Sequence, residues 1–264
     1  MICKRWAMFK TSHRGSRDRN DDFVDEQRFY LNHRLIYVLV ACDGVGGQPA
    51  GDQCAQAVGR KVLELTKEYL GHRSTQGVLN ETDARSIVNQ LKTIDINGVP
   101  QESATTLALA IFDPKGGMIA IWAGDSRVYL LDASGELQQM TEDHHNKAGH
   151  LTSCIAGGGQ VRGEIAYRFV PFSKRPCAIA VTTDGVHGSC QPDEPRQYAL
   201  RQYALRHYLF YCISQKLPHE EFLKETLPVF LRDDDSDNFS MVIYYYRLSN
   251  RRIRLIAPDL IEEK

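Results

Sequence analysis

The apolar run from Leu35 to Cys42, rich in β-branched and aromatic residues, stops at Asp43 and gives way to Gly44, Gly46 and Gly47. A run of this length closed by turn residues predicts a buried strand. The glycines predict a tight turn just past it, with room for close approach. The same pattern returns at 178–185, where AIAVTT delivers Asp184-Gly185. Strands are also predicted over 5–11 and 29–31, the latter paired with 35–42 around the turn Asn32-His33. From Thr105 the runs TLALAIF, MIAIWAG and RVYLLD, separated by Asp113 to Gly117 and by Gly124-Asp125-Ser126, predict an antiparallel meander with Ser134-Gly135 as its next turn. Residues 165–170, 177–183 and 239–246 complete the main strands, and 253–256 could add a short one.

Helical spacing is clearest from Pro49 to Leu70, where Ala55, Val58, Val62, Leu65 and Leu70 recur on one face and Arg60, Lys61, Glu64, Lys67 and Glu68 supply the wet side. Pro49 suits a first turn and Gly71 a stop. A second helix is predicted over Thr82–Leu91, capped by Thr82 or Asp83. Residues 193–231 read as helical with a break at Leu217-Pro218, and they contain an immediate duplication, Arg196 to Leu200 repeated as Arg201 to Leu205. A five-residue period cannot present the same face of a helix of about 3.6 residues per turn, so the duplication is local. The polar stretches 12–22 and 141–163 read as loops. Without a linker or a compositional break, the economical reading is one domain of α+β class with mainly antiparallel sheets.

Composition narrows the picture by exclusion. The chain of 264 residues is 42% hydrophobic and 25% charged, ordinary for a globular protein. A formal net charge of −1 gives no basic field for nucleic acid or an acidic membrane surface. No apolar run approaches the roughly 20 residues of a membrane span, and MICKRWAMFK lacks the apolar core of a signal peptide. The seven cysteines, Cys3, Cys42, Cys54, Cys154, Cys177, Cys190 and Cys212, form no CxxC pair. They read as reduced core thiols of a cytoplasmic protein.

The candidate chemistry lies in aspartates that share one placement. Asp43 and Asp184 each follow a strand and precede a glycine, Asp125 sits between two strands, Asp237 precedes the last strand, and Asp21-Asp22 precede the first hairpin. Taken alone, Asp43-Gly44 reads as a strand-end turn or cap. Together, carboxylates at strand ends can converge, and such a cluster is tolerable when a hard divalent cation neutralises it. An all-oxygen donor set selects Mg2+ or Mn2+ over Zn2+. Competing motifs fail on spacing: there is no HExxH, GxSxG or Walker sequence. Asp233, Asp235 and Asp237 begin like an EF-hand, but Asn238 stands at its glycine and Tyr244 at its closing glutamate.

These elements fall in the order of a known family. Arg17-x-x-Asn20-Asp21-Asp22, Asp43-Gly44-Val45-Gly46-Gly47, Ser103-Ala104-Thr105-Thr106, Gly124-Asp125-Ser126-Arg127, Thr141-Glu142-Asp143-His144, Thr183-Asp184-Gly185 and Asp237-Asn238 resemble the metal-dependent protein serine/threonine phosphatases of type 2C, the PPM family, in their compact bacterial form. The resemblance spans about residues 5–247 and implies a catalytic domain over 1–248, with 249–264 as a tail. It implies two antiparallel sheets forming a sandwich flanked by helices on both faces, with a metal centre at one end. Carried over by position, Asp43 would bridge two Mg2+ or Mn2+ ions and the Gly44 carbonyl would ligate one of them. Asp184 and Asp237 would complete one ion and Asp21 would serve the other, while Asp125 matches a third, weaker site. Asp22 would hold a metal-bound water, with Asn238 also one step removed from the ions. Arg17 would grip the substrate phosphate, for which its planar fork is suited. The implied reaction is hydrolysis of phosphoserine or phosphothreonine by in-line attack of a hydroxide bridging the two ions, with Asp43, Asp184 and Arg17 as the catalytic residues. Implied partners are phosphoprotein substrates in signalling, opposite a Ser/Thr kinase, acted on by a monomer in the cytoplasm.

Three departures qualify the resemblance. Val45 stands where eukaryotic relatives have a histidine thought to assist the leaving group. His144, His145 and His187 are candidate substitutes, each of which reads as a surface residue; a water on the third ion is the better candidate acid. Ala104 replaces a glycine. Bacterial relatives have a mobile flap after an Asp-His-Ser element, whereas here Asp143-His144-His145 is followed almost at once by His150-Leu151-Thr152, so the flap is expected to be a stub over a more open site. The alternative function is a pseudophosphatase, a phosphoprotein-binding scaffold without turnover.

Overall fold

The computed structural model describes residues 6–73, 78–188, 195–214 and 237–246. Its strands in chain order are β1 (Trp6–His13), β2 (Asp22–Leu31), β3 (Arg34–Asp43), β4 (Ala104–Thr105), β5 (Leu107–Asp113) and β6 (Gly117–Ala123). They continue as β7 (Arg127–Leu131), β8 (Leu137–Gln139), β9 (Cys154–Ala156), β10 (Val161–Arg162), β11 (Ala166–Pro171), β12 (Ala178–Thr182) and β13 (Phe239–Tyr246). The helices are α1 (Gly51–Gly71), α2 (Glu81–Leu91), the single turn α3 (Asp184–His187) and α4 (Pro195–Ser214).

Alternate side chains along β3 serve two interiors, which is why the run shows no polar alternation. Val38, Val40 and Cys42 join Leu109 and Ile111 of β5 beneath Val58 and Val62 of α1 and Ile87 and Leu91 of α2. Tyr37, Leu39 and Ala41 face the other way, onto Val128 of β7, Ile179 and Val181 of β12 and Val242 of β13. The other faces of those strands, through Tyr129, Ala180, Met241 and Ile243, lie under Leu205, Tyr208 and Leu209 of α4. Two five-stranded antiparallel sheets result, ordered β1-β13-β12-β7-β8 and β11-β6-β5-β3-β2, packed face to face with helices outside each. A three-stranded sheet, β10-β9-β4, completes the pattern. The class is α+β and the layering helix, sheet, sheet, helix, as the resemblance implies. Between the sheets Tyr37 packs 5.3 Å from Phe112 and 4.2 Å from Tyr244, ring centre to ring centre.

Several local expectations shift. β7 is not the third strand of a meander: β5 and β6 pair in one sheet, whereas β7 crosses to the other and pairs with β12 and β8. β2 begins at Asp22, well before Phe29, because an edge strand with partly exposed faces carries polar residues such as Asp25, Glu26 and Gln27. α1 begins two residues after Pro49, behind Ala50 in a left-handed conformation with φ 51°, and Gly71 is still helical. α2 is capped by Asn80, whose side chain accepts from the Thr82 and Asp83 amides while Asp83 returns a bond to the Asn80 amide. That reciprocal pair is a capping box set two to three residues earlier than expected. The duplicated pentapeptides both lie in α4, and in the second copy Leu205 is buried and Gln202 donates to the Tyr129 hydroxyl.

Among the described residues, Cys42, Cys54 and Cys154 are free thiols, and no helix is long and apolar enough to cross a membrane. The expected break at 217–218 and the short strand 253–256 lie outside the described residues, as do the tail and most of the acidic run before Asp237.

Candidate active site

Both sheets end together where the aspartates stand. Asp43 is the last residue of β3 and lies opposite Asp22, the first of β2. That pairing follows from the hairpin, since Asn32 and His33, with φ 47° and 64°, form a two-residue turn that fixes the register. Asp125 lies between β6 and β7, Asp184 opens α3 after β12, and Asp237-Asn238 lead into β13. A cavity of about 570 Å3 opens among them. Its walls carry Arg17, Asp21, Asp43, Gly44, Asp125, Asp184, Asp237 and Asn238, so every site residue expected from the sequence except Asp22 lines it.

The backbone around Asp43 is tied down by the Ser-Ala-Thr-Thr element. The Asp43 amide donates to Thr106 Oγ1 at 2.9 Å, and its carbonyl accepts from Thr105 Oγ1 at 2.8 Å and from the Thr106 amide at 2.9 Å. Thr106 Oγ1 in turn meets Ser126 Oγ at 2.6 Å, joining Asp43 to the turn that carries Asp125. One residue on, the Gly44 amide donates to the Asp21 carbonyl at 3.1 Å. A Cβ on Gly44 would stand 2.5 Å from the Gly51 carbonyl carbon and 2.9 Å from the Asp21 carbonyl oxygen, so only glycine fits there. Asn238 closes the opposite side: its Oδ1 accepts from the Asp21 amide at 2.7 Å, and its Nδ2 donates to the Arg14 and Arg19 carbonyls. Ala104 is buried and its carbonyl accepts from the Val45 amide, a backbone role to which its methyl group is no obstacle.

Charge dominates this end of the molecule. Asp22, which accepts from Thr183 Oγ1 at 2.8 Å, is pushed up to about 7, by burial first and then by Asp184 and Asp237. Asp184 is also raised to about 7, by burial and then by Asp125 and Asp237. Burial and the charges of Asp184, Asp22 and Asp125 push Asp43 well above the carboxylate range. Asp22 Oδ1 and Asp184 Oδ1 are buried without any hydrogen-bond partner. Arg17, half exposed at the mouth, pairs with Asp237 at 2.9 Å, and Arg19 lies 2.7 Å from Asp21. Among the described residues, no three His, Cys, Asp or Glu side chains already close on one point at ligating distance.

This strain has a measurable consequence without metal. An unfolded aspartate titrates near 3.8, and Asp184 in the folded chain near 7. Between these values the folded chain holds a proton that the unfolded chain has lost, so the carboxyl costs stability as pH rises through this window. In chelator, Asp184→Asn should therefore stabilise the chain by roughly 1–3 kcal/mol more at pH 8 than at pH 5, read by denaturant melts. An unchanged difference between the two pH values would contradict the shift. The comparison between variants cancels His187, whose depressed basicity acts in the opposite sense below neutral pH.

The three histidines are not surface residues. His187 is buried at 1% exposure, donates from Nε2 to the Asp125 carbonyl at 3.1 Å, and therefore accepts at Nδ1 from Thr182 Oγ1 at 3.0 Å. Burial, reinforced by Arg127, holds it neutral, well below its usual range. His144 accepts at Nδ1 from the Gly124 amide and stacks near Trp122, its ring 6.2 Å away. His145 lines the cavity with Nε2 2.9 Å from Asp125 Oδ2, and that bond raises its basicity. The only sequence signal for these roles is proximity to Asp143 and Asp184; the contacts with Asp125 span 20 and 62 residues. The expected stub is a short hairpin in which His145 bridges Leu151 and Asn146 Oδ1 accepts from the Ala148 and His150 amides.

Comparison with known proteins gives the family and the fold. Residues 10–232 match the protein phosphatase 2C family. The serine/threonine phosphatase stp of Listeria welshimeri is 28% identical over 145 residues, covering 52% of this chain and 54% of that protein. The chain thus spans about half the length of the curated relatives it matches. The fold is that of the Staphylococcus aureus serine/threonine phosphatase Stp1, with a TM-score of 0.60 at 17% identity over 91% of this chain and 95% of that one. It is also that of the catalytic domain of the serine threonine protein phosphatase PstP solved with two manganese ions, with a TM-score of 0.55 at 21% identity over 92% and 99% of the two chains. The chain belongs to the protein phosphatase 2C family.

Proposed function

We propose that residues 1–248 form a catalytic domain that hydrolyses phosphoserine and phosphothreonine in proteins, dependent on Mg2+ or Mn2+. The observation that carries this reading is the convergence of Asp21, Asp43, Asp125, Asp184 and Asp237 on one cavity, with Asp184 Oδ1 buried and unpartnered. Buried carboxylates that repel one another and lack donors fit a divalent cation, and their oxygens suit Mg2+ or Mn2+. The PstP relative solved with two manganese ions supports the same choice. Asp43 and the Gly44 carbonyl would hold the ions together with Asp21 on one side and Asp184 and Asp237 on the other; Asp125 would serve a third. Bound there, the cations would neutralise phosphoryl charge and lower the pKa of water toward neutrality.

The chain's own groups would do the rest. Arg17, half exposed at the mouth, would leave Asp237 to grip two phosphate oxygens. Gly44, Gly46 and Gly47 would keep side chains off the floor of the cavity so that a phosphoryl group can enter. His187, neutral and buried, would fix Asp125 through its carbonyl. The substrates would be products of a Ser/Thr kinase, approached through a site that no long flap among the described residues covers.

The reading is tested by inorganic phosphate release from a phosphothreonine peptide in Mn2+. Peptide binding without turnover would replace it with a scaffold role. Within the reading, Arg17→Ala should raise KM for the peptide by roughly 10–100-fold, with Mn2+ binding retained and Arg17→Lys intermediate. An unaltered KM would remove Arg17 from phosphate recognition.

A further inference from the structure

We propose that Asp125 and His145 together form a cation position of mixed oxygen and nitrogen donors, which takes Mn2+ in preference to Mg2+. The inference rests on the metal reading above and adds to it a ligand that is not a carboxylate.

The geometry carries it. His145 Nε2 lies 2.9 Å from Asp125 Oδ2, with both side chains largely shielded at 15% and 13% exposure and both on the cavity wall. Two donors bound side by side to one octahedral ion at about 2.1 Å stand about 3 Å apart, so the pair already has the spacing of neighbouring ligands; the cation would replace the proton that His145 Nε2 shares with Asp125, which is released to solvent. Across the same cavity, Asp184 Oδ1 is buried and has no hydrogen-bond partner.

Both donors are held from behind. The Asp125 carbonyl accepts from the buried His187, and Ser126 is tied to Thr106. On the other side, the His144 amide donates to the Gly124 carbonyl, the His145 amide to the Asp143 carbonyl, and the Thr152 amide to the His144 carbonyl at 2.7 Å. Asp143 is fixed in turn by the Arg127 fork. His145 is thus presented to Asp125 by a rigid hairpin, as a ligand needs to be. An imidazole nitrogen favours transition ions over Mg2+, which keeps to oxygen.

Manganese itself is the probe. The full chain with three equivalents of Mn2+ should show the electron spin-echo modulation of a directly bound imidazole nitrogen, and excess Mg2+ should leave that signal while displacing Mn2+ elsewhere. His145→Ala should abolish the nitrogen modulation, keep the two tighter Mn2+ sites and weaken the third by at least about tenfold. His145→Gln, which can still donate to Asp125, should lose the modulation as well, with an unchanged circular dichroism spectrum. Mn2+ bound to the wild type without nitrogen modulation, modulation that survives in both variants, or complete displacement by Mg2+ would each overturn the proposal. A wild-type chain that binds no Mn2+ would overturn the metal reading itself, and this inference with it.

Discussion

Asp43→Asn is expected to lower kcat on a phosphothreonine peptide by at least about 10³-fold without unfolding the chain. The backbone of Asp43 is held by Thr105 and Thr106 regardless of its side chain, and asparagine keeps the volume. What changes is charge, at the residue where burial and three neighbouring carboxylates already act together. The proposed role of Asp43 is to hold two cations, so neutralising it removes the group on which both depend. Near-ultraviolet circular dichroism should match the wild type, and Mn2+ should bind more weakly. A variant within tenfold of wild-type kcat at saturating Mn2+ would rule out that role.

The largest expected effect on stability lies at Arg127. Its side chain is 1% exposed, forks onto both oxygens of Asp143, and donates to the Tyr129 hydroxyl. Arg127→Ala would leave Asp143 without its cation at 13% exposure. Breaking a buried pair from one side typically costs about 3–5 kcal/mol, or on the order of 10 °C in Tm for a chain of this size. Asp143→Asn added to Arg127→Ala should recover part of the loss, because the uncompensated charge goes with it. A single-variant loss under about 1 kcal/mol would show that the pair is not the clasp between β7 and the His144–His145 hairpin.

What could be read from the sequence follows from how far each cause reaches along the chain. β3 and β12 are buried on both faces, so their composition alone announces them, together with the aspartates at their ends. The register that sets Asp22 against Asp43 was also within reach, because a two-residue turn at Asn32-His33 admits one pairing. The polar start of β2 was hidden because an edge strand need not alternate. The sheet that receives β7 depends on pairing with β12, about 50 residues further on, which no local pattern encodes. The burial of His187 has the same origin: its partners Asp125 and Tyr129 arrive from the turn before β7 and from β7 itself. His145 was visible only as one of two adjacent histidines, and its meeting with Asp125 depends on the fold of the intervening hairpin. The motif Ser103 to Thr106 was recognisable by resemblance, but its physical purpose, to lash the end of β3, emerges only from the hydrogen bonds.

In the proposed function, this cup of aspartates turns a divalent cation to the hydrolysis of phosphorylated serine and threonine. Phosphate release from a phosphothreonine peptide, measured across a Mn2+ titration for the wild type and for Asp184→Asn, tests it most directly. The wild type should show saturable, Mn2+-dependent turnover, abolished by chelator and lost in the folded variant. A folded wild-type chain that releases no phosphate at saturating Mn2+ would contradict it.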